Sequence, residues 1–219
     1  MEAIDQTRRN RLVLALIAGI PVTMILAASW LWYFVVHGDL DLVGTLGTAN
    51  RGSLVRPPRQ LDEVELFEQS GFVFRYADLE PRWTMLIPAA GGACSQACER
   101  SLYTTRQIHV AMGKEFNRLR RIYLSETPVE ATELVVDQLS EDRPAPDSFA
   151  AYLQSGHRGL KPLVLGPGAF AQLFSEYRAD PATWYLVDPA GWVMMSYNGE
   201  VPYKDVIADL KFLLKNSSE

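Results

Sequence analysis

The chain has 219 residues, a formal net charge of -5 and a pI near 5.3. That length holds one domain of ordinary size plus accessories. The acidic balance excludes nucleic acid as a partner, because phosphate binding needs a basic face.

The first elements concern a membrane. No charged residue occurs over 12–36, while Arg8, Arg9 and Arg11 precede the run and Asp39 and Asp41 follow it. As a helix this run exceeds the ~30 Å hydrocarbon core of a bilayer. Pro21 interrupts it, which membrane helices tolerate. Trp30, Trp32 and Tyr33 gather at its far end, where aromatic rings favour the lipid–water boundary. The reading is a cytoplasmic stub over 1–11, a single transmembrane helix over 12–36, and export of everything after His37. A cleaved signal peptide, with Ala27-Ala28-Ser29 as cleavage site, is the competing reading, and it exports the domain equally. In a bacterium this means the inner membrane with the domain in the periplasm, where paired thiols can be oxidised.

Residues 37–60 read as linker, with Gly38, Gly44, Gly47, Gly52 and Pro57-Pro58 and no apolar period. The domain is then 61–219. Its first stretch, 61–74, mixes apolar patches with acids and reads as a strand or short helix. Residues 82–87 predict a strand stopped by Pro88. After Gly91-Gly92, residues 95–119 predict a helix with Cys98, Leu102, Thr105, His109, Met112 and Phe116 along one stripe. A strand follows at 121–124, then an acidic, proline-bearing loop over 126–146 with one strand near 134–136. Its carboxylates read as a solvated face. Asp147 or Ser148 caps a helix ended by Gly156. A short strand at 163–165 and a helix over 168–177 come next. Trp184 to Val187 and Trp192 to Tyr197 predict a hairpin across Asp188-Pro189-Ala190-Gly191. An amphipathic helix over 203–215 closes the chain. This order implies an α/β domain of αβα layers around a mixed sheet.

The chemistry sits in Gly91-Gly92-Ala93-Cys94-Ser95-Gln96-Ala97-Cys98, which holds both cysteines of the protein. Thiols at the mouth of a helix either exchange electrons or hold a soft metal. Backbone N–H groups and the helix dipole lower a thiol pKa there. Cys94, nearest the turn, reads as the exposed nucleophile and Cys98 as the resolving thiol. Two residues one full helical turn apart stand too far apart for a disulfide, so the pair closes only if Cys94 lies outside the regular helix. A permanent structural disulfide is the bland alternative, and a loop this short stabilises little. Met194 and Met195, on opposite faces of a strand, read as packing and surface.

An anchor, a strand leading into Cys-x-x-x-Cys and a helix, and the later phrase Tyr185-Leu186-Val187-Asp188-Pro189-Ala190-Gly191 resemble the Sco/SenC family. The resemblance implies a thioredoxin-like fold on a membrane anchor and copper delivery to the Cu(A) centre of cytochrome c oxidase. Asn50-Arg51-Gly52-Ser53-Leu54 and Asp209-Leu210-Lys211 look like phrases of relatives among oxidase-assembly proteins. The family's copper site uses both cysteines and a histidine eight residues before the position of Asp188. Here that position is Asp180, followed by Pro181, near where thioredoxin-like proteins place a cis-proline. A carboxylate is a poor partner for Cu(I). His109 lies too far along the helix from Cys98 to replace the histidine, His37 belongs at the membrane surface, and the position of His157 is open. Three readings follow from the resemblance. The first is a thiol–disulfide oxidoreductase that keeps the cysteines of an oxidase subunit, or of another assembly factor, reduced. The second is a carrier of copper, the one candidate cofactor, on Cys94 and Cys98 with Asp180 or an unplaced histidine as the third ligand. The third is a scaffold with incidental thiols.

Overall fold

The computed structural model describes residues 2–36 and 50–217, which fall into two units, 1–49 and 50–219. His37 and most of the expected linker lie outside the described residues.

In the first unit, helix α1 runs Glu2–Val36 with Pro21 inside it. Its segment Val13–Tyr33 has a mean hydropathy of 2.1 and is apolar and long enough to cross a membrane. Leu14, Ile17, Met24 and Trp32 are each more than half exposed. A segment that is apolar all round has the composition of a membrane span. Beside Pro21, the Thr23 hydroxyl donates to the carbonyls of Gly19 (3.0 Å) and Ile20 (2.9 Å), so it brings no unpaired donor into the span.

The second unit is an eight-stranded mixed sheet. Its strands are β1 (Ser53–Gln60), β2 (Leu66–Glu68), β3 (Val73–Phe74), β4 (Trp83–Ala89), β6 (Leu119–Ser125), β8 (Leu160–Leu165), β9 (Trp184–Val187) and β10 (Trp192–Tyr197), in the order β1-β10-β9-β4-β6-β8-β2-β3. Strands β4, β6 and β8 are parallel neighbours, and the other pairings are antiparallel. A separate two-residue pair joins β5 (Ala93–Cys94) to β7 (Glu133–Leu134). Helices α2 (Gln96–Ala111), α3 (Phe149–Gly156), α4 (Ala169–Leu173) and α5 (Tyr203–Asn216) complete the unit.

Strand β4 is central and buried on both faces, which explains its unbroken apolar run. Alternation divides it: Met85, Ile87 and Ala89 join the core under α2, α3 and α5, while Leu86 joins the core under α4. A register shift between Val193 and Met195 breaks the same alternation in β10. Val193 therefore faces the α4 core while Met195 and Tyr197 face the other. Met194 also packs against the α2 side, so the two methionines do not part to opposite faces as simple alternation predicts.

Four other expectations are corrected. Strand β1 occupies 53–60, which reads as linker by composition. Arg56-Pro57-Pro58 are accommodated because β1 is an edge strand whose register with β10 shifts between Leu54 and Arg59. Strand β4 continues through Pro88, where β9, paired only to Thr84–Leu86, no longer flanks it. Helix α2 stops at Ala111 because Gly113 takes φ +58°, and 3-10 turns follow over Gly113–Arg118. Helix α4 is likewise short, passing into a 3-10 turn at Ser175–Arg178. The hairpin β9–β10 and the Ser148 cap, whose hydroxyl accepts from the Ala151 N–H, are as the sequence predicts.

The two phrases at 50–54 and 209–211 meet in space. The buried Asp209 carboxylate on α5 accepts from the N–H groups of Arg51 (2.8 Å) and Gly52 (3.1 Å) and from the Tyr197 hydroxyl (3.2 Å). Gly52 must be glycine here, since a Cβ would lie 2.6 Å from the Tyr197 ring. The start of the domain is thus pinned to its last helix.

Candidate functional site

The glycine turn positions the two sulfurs. Gly91 takes φ +69°, a conformation that favours glycine, and donates its N–H to Glu126 (3.0 Å) while its carbonyl accepts from the Thr127 hydroxyl (3.1 Å). The chain then enters β5, and the carbonyls of Gly92, just before it, and of Cys94 accept from the N–H groups of Glu133 (2.8 Å) and Val135 (2.9 Å). Ser95 is the N-cap of α2 in extended conformation, so Cys94 lies outside the helix and Cys98 within its first turn. The Cα atoms stand 5.2 Å apart and the sulfurs are bonded. The geometric condition for closing the pair is therefore met. Because the Ser95 side chain makes no cap bond, the first-turn N–H groups remain to favour a thiolate beside them.

Cys94 is not the exposed thiol that its place beside the turn predicts. Cys94 is 0% and Cys98 3% exposed, within a cluster that includes Ile87, Val129 and Leu139. Residues 126–146 bring Val129, Leu134, Val136 and Leu139 over the sulfurs' side of the sheet. This loop is no uniformly solvated face, since Glu126 holds Gly91 and Glu141 holds Arg106 (2.7 Å).

Asp180 is not brought together with the cysteines into a metal shell. Its carboxylate accepts from the N–H groups of Ala182 (2.8 Å) and Gly199 (3.2 Å), tying its loop to the turn after β10. That loop meets α2 one turn past Cys98, where the Ser101 hydroxyl donates to the Ala182 carbonyl (2.9 Å). The cis peptide bond among the described residues is Arg56–Pro57, so Asp180–Pro181 is trans and is not the cis-proline its position suggests.

Among the described residues, His109 and His157 each hold a partner at one ring nitrogen, while the buried Nε2 of His157 has none. His109 bonds the Phe116 carbonyl through Nε2 (2.9 Å) and stacks on that ring at 3.9 Å. Burial lowers its pKa. His157 is 2% exposed, and its Nδ1 accepts from Arg121 (3.3 Å). Burial first, then the cations of Arg121 and Arg106, push its pKa down to about 3. Among the described residues no group of three His, Cys, Asp or Glu side chains could hold a metal ion. Two sulfurs bonded to each other with no third donor among the described residues do not fit the copper set that the Sco/SenC resemblance implies.

Sequence reasoning misses two residues of the site, Glu99 and Arg106. Glu99 is 1% exposed and accepts from the Ser140 N–H (3.0 Å), the Ser140 hydroxyl and the Tyr152 hydroxyl (3.2 Å). Their spacing of seven on one helix marks a common face, but their partners lie 41 and 35 residues away and leave no local signal.

The family model of the transmembrane-like, thioredoxin-like, C-terminal domain matches residues 83–145 and 138–217. The chain belongs to this family. Within the thioredoxin-like domain the match runs from β4 to the end of α5, leaving β1, β2 and β3 outside it. Among curated proteins none matches the sequence. Solved structures share the fold. Yeast Sco1 with copper bound is 15% identical, with 78% of this chain and 97% of that one covered at a TM-score of 0.51. Apo Sco1 of Thermus thermophilus is 20% identical, covering 76% and 99% at 0.51. Arabidopsis thaliana ScoI with copper bound is 13% identical, covering 76% and 99% at 0.50. At these identities the likeness speaks for the thioredoxin-like architecture of the domain.

Proposed function

We propose that this protein is a factor of the bacterial inner membrane, anchored by α1 with its domain in the periplasm. There it assists maturation of the Cu(A) site of cytochrome c oxidase by thiol–disulfide exchange. The observation that carries the chemistry is a bonded pair at a strand–helix junction with no third metal donor beside it among the described residues. In the forward exchange the reduced Cys94 thiolate attacks one sulfur of a partner disulfide and expels the other as thiolate. Cys98 then attacks the Cys94 sulfur, releasing the partner as a dithiol and closing Cys94–Cys98. Both electrons come from the pair, so an external dithiol must reduce it again.

Copper carriage is the second reading, favoured by two soft sulfur donors that suit Cu(I) once reduced. Titrating the reduced full chain against a Cu(I) chelator of known affinity separates the two. Exchange predicts that the chelator keeps the metal at micromolar protein, and stoichiometric transfer to the protein would establish the carrier instead. If Cys94→Ser leaves oxidase assembly intact in cells, only a scaffold role remains.

A further inference from the structure

A carboxylate buried directly after Cys98 is costly unless its acceptors are filled. Glu99 is filled mainly by one residue, Ser140, through both its N–H and its hydroxyl. Two turns along α2, Arg106 pairs with the neighbouring Glu141 (2.7 Å). Between these fastenings and β7, Leu134, Val136 and Leu139 pack into the cluster that contains both sulfurs. Strand β7 pairs only with β5, outside the eight-stranded sheet, and only the few backbone bonds of that two-residue pair and its flanks hold it there.

We propose that residues 133–142 form a strap closed over the Cys94–Cys98 bond and latched to α2 by Glu99 and Arg106. The pair reacts only when the strap lifts. Lifting leaves the main sheet intact, because no strand of that sheet passes through the strap. It also returns Glu99 and Glu141 to water, which offsets part of the lost bonding. A local opening of this kind costs less than global unfolding. The inference rests on the exchange reading for its purpose but not for its test.

The test reduces the full-length protein in detergent micelles with a water-soluble phosphine over a urea series. The phosphine becomes its oxide, taking oxygen from water, as the disulfide becomes two thiols, which are trapped with maleimide. The strap predicts a rate nearly independent of urea well below the unfolding transition. It also predicts that Ser140→Ala raises that low-urea rate about tenfold, the factor expected for losing one bond to a charged group. A rate that follows the global unfolding slope down to zero urea overturns the proposal. So does an unchanged low-urea rate in Ser140→Ala. Failure of the exchange reading appears elsewhere, as a reduction potential below the span of dithiol oxidoreductases with the strap kinetics intact.

Discussion

Asp209→Ala destabilises the domain by about 2–4 kcal/mol, because it leaves two buried donors without an acceptor at ~1–3 kcal/mol each. Three donors converge on this carboxylate, and truncation strands the Gly52 N–H and Tyr197 hydroxyl inside the protein. Both belong to a packed region, where Trp184 stacks on Tyr197 at 4.6 Å and a Cβ at Gly52 would clash with that ring. Water cannot simply replace the lost acceptor. For a domain of this size each 1 kcal/mol shifts Tm by about 2–4 °C, so a fall of roughly 10 °C is expected. Asp209→Asn keeps one acceptor and should cost about half as much. Thermal melts of the three proteins check this, and an Asp209→Ala loss under 0.5 kcal/mol would refute it.

The second large effect is acid lability centred on His157. Its ring faces Arg121 from β6, Arg106 from α2, Glu141 from the strap and Tyr152 from α3, whose ring lies 4.6 Å away. Arg121 is itself buried, and desolvation lowers its guanidinium to about 10, so it remains a cation at neutral pH. In the unfolded chain the imidazole titrates near 6.5; in the fold it titrates at about 3. The unfolded state therefore binds the extra proton between those values. Stability from the neutral ring is complete above pH 6.5 and is lost as pH falls from 6.5 toward 3. Between pH 7 and pH 4.5 this amounts to about 3 kcal/mol at ~1.4 kcal/mol per unit. His157→Gln retains an acceptor for Arg121 without the titration. Urea unfolding at the two pH values should show the wild type losing about 3 kcal/mol more than the variant. Equal losses would contradict the account.

Much of this architecture was legible in the residues because local chemistry decides it. A charge-free apolar run, a glycine turn before a helix and a proline-bearing hairpin each carry their own signal. The cysteine pair was legible for the same reason, down to the need for Cys94 to leave the helix. What stayed hidden depends on distant partners. Strand β1 looks like linker because Pro57-Pro58 suit loops, and only its edge position beside β10 makes them tolerable. Burial of both sulfurs follows from a loop whose acids suggested solvent, yet whose Glu141 and Ser140 reach back to α2. His157 could be placed only once β6 brought Arg121 against it. Asp180, expected where a metal ligand stands in the resembling family, serves two backbone N–H groups instead.

The reduction potential of Cys94–Cys98 in the full-length protein tests the central claim most directly. It is measured by equilibration in graded thiol buffers with quantitative trapping of free thiols. Exchange with a partner predicts a value between about -120 and -270 mV, the span of dithiol oxidoreductases. A value below about -300 mV would mark the bond as a structural staple and contradict the account.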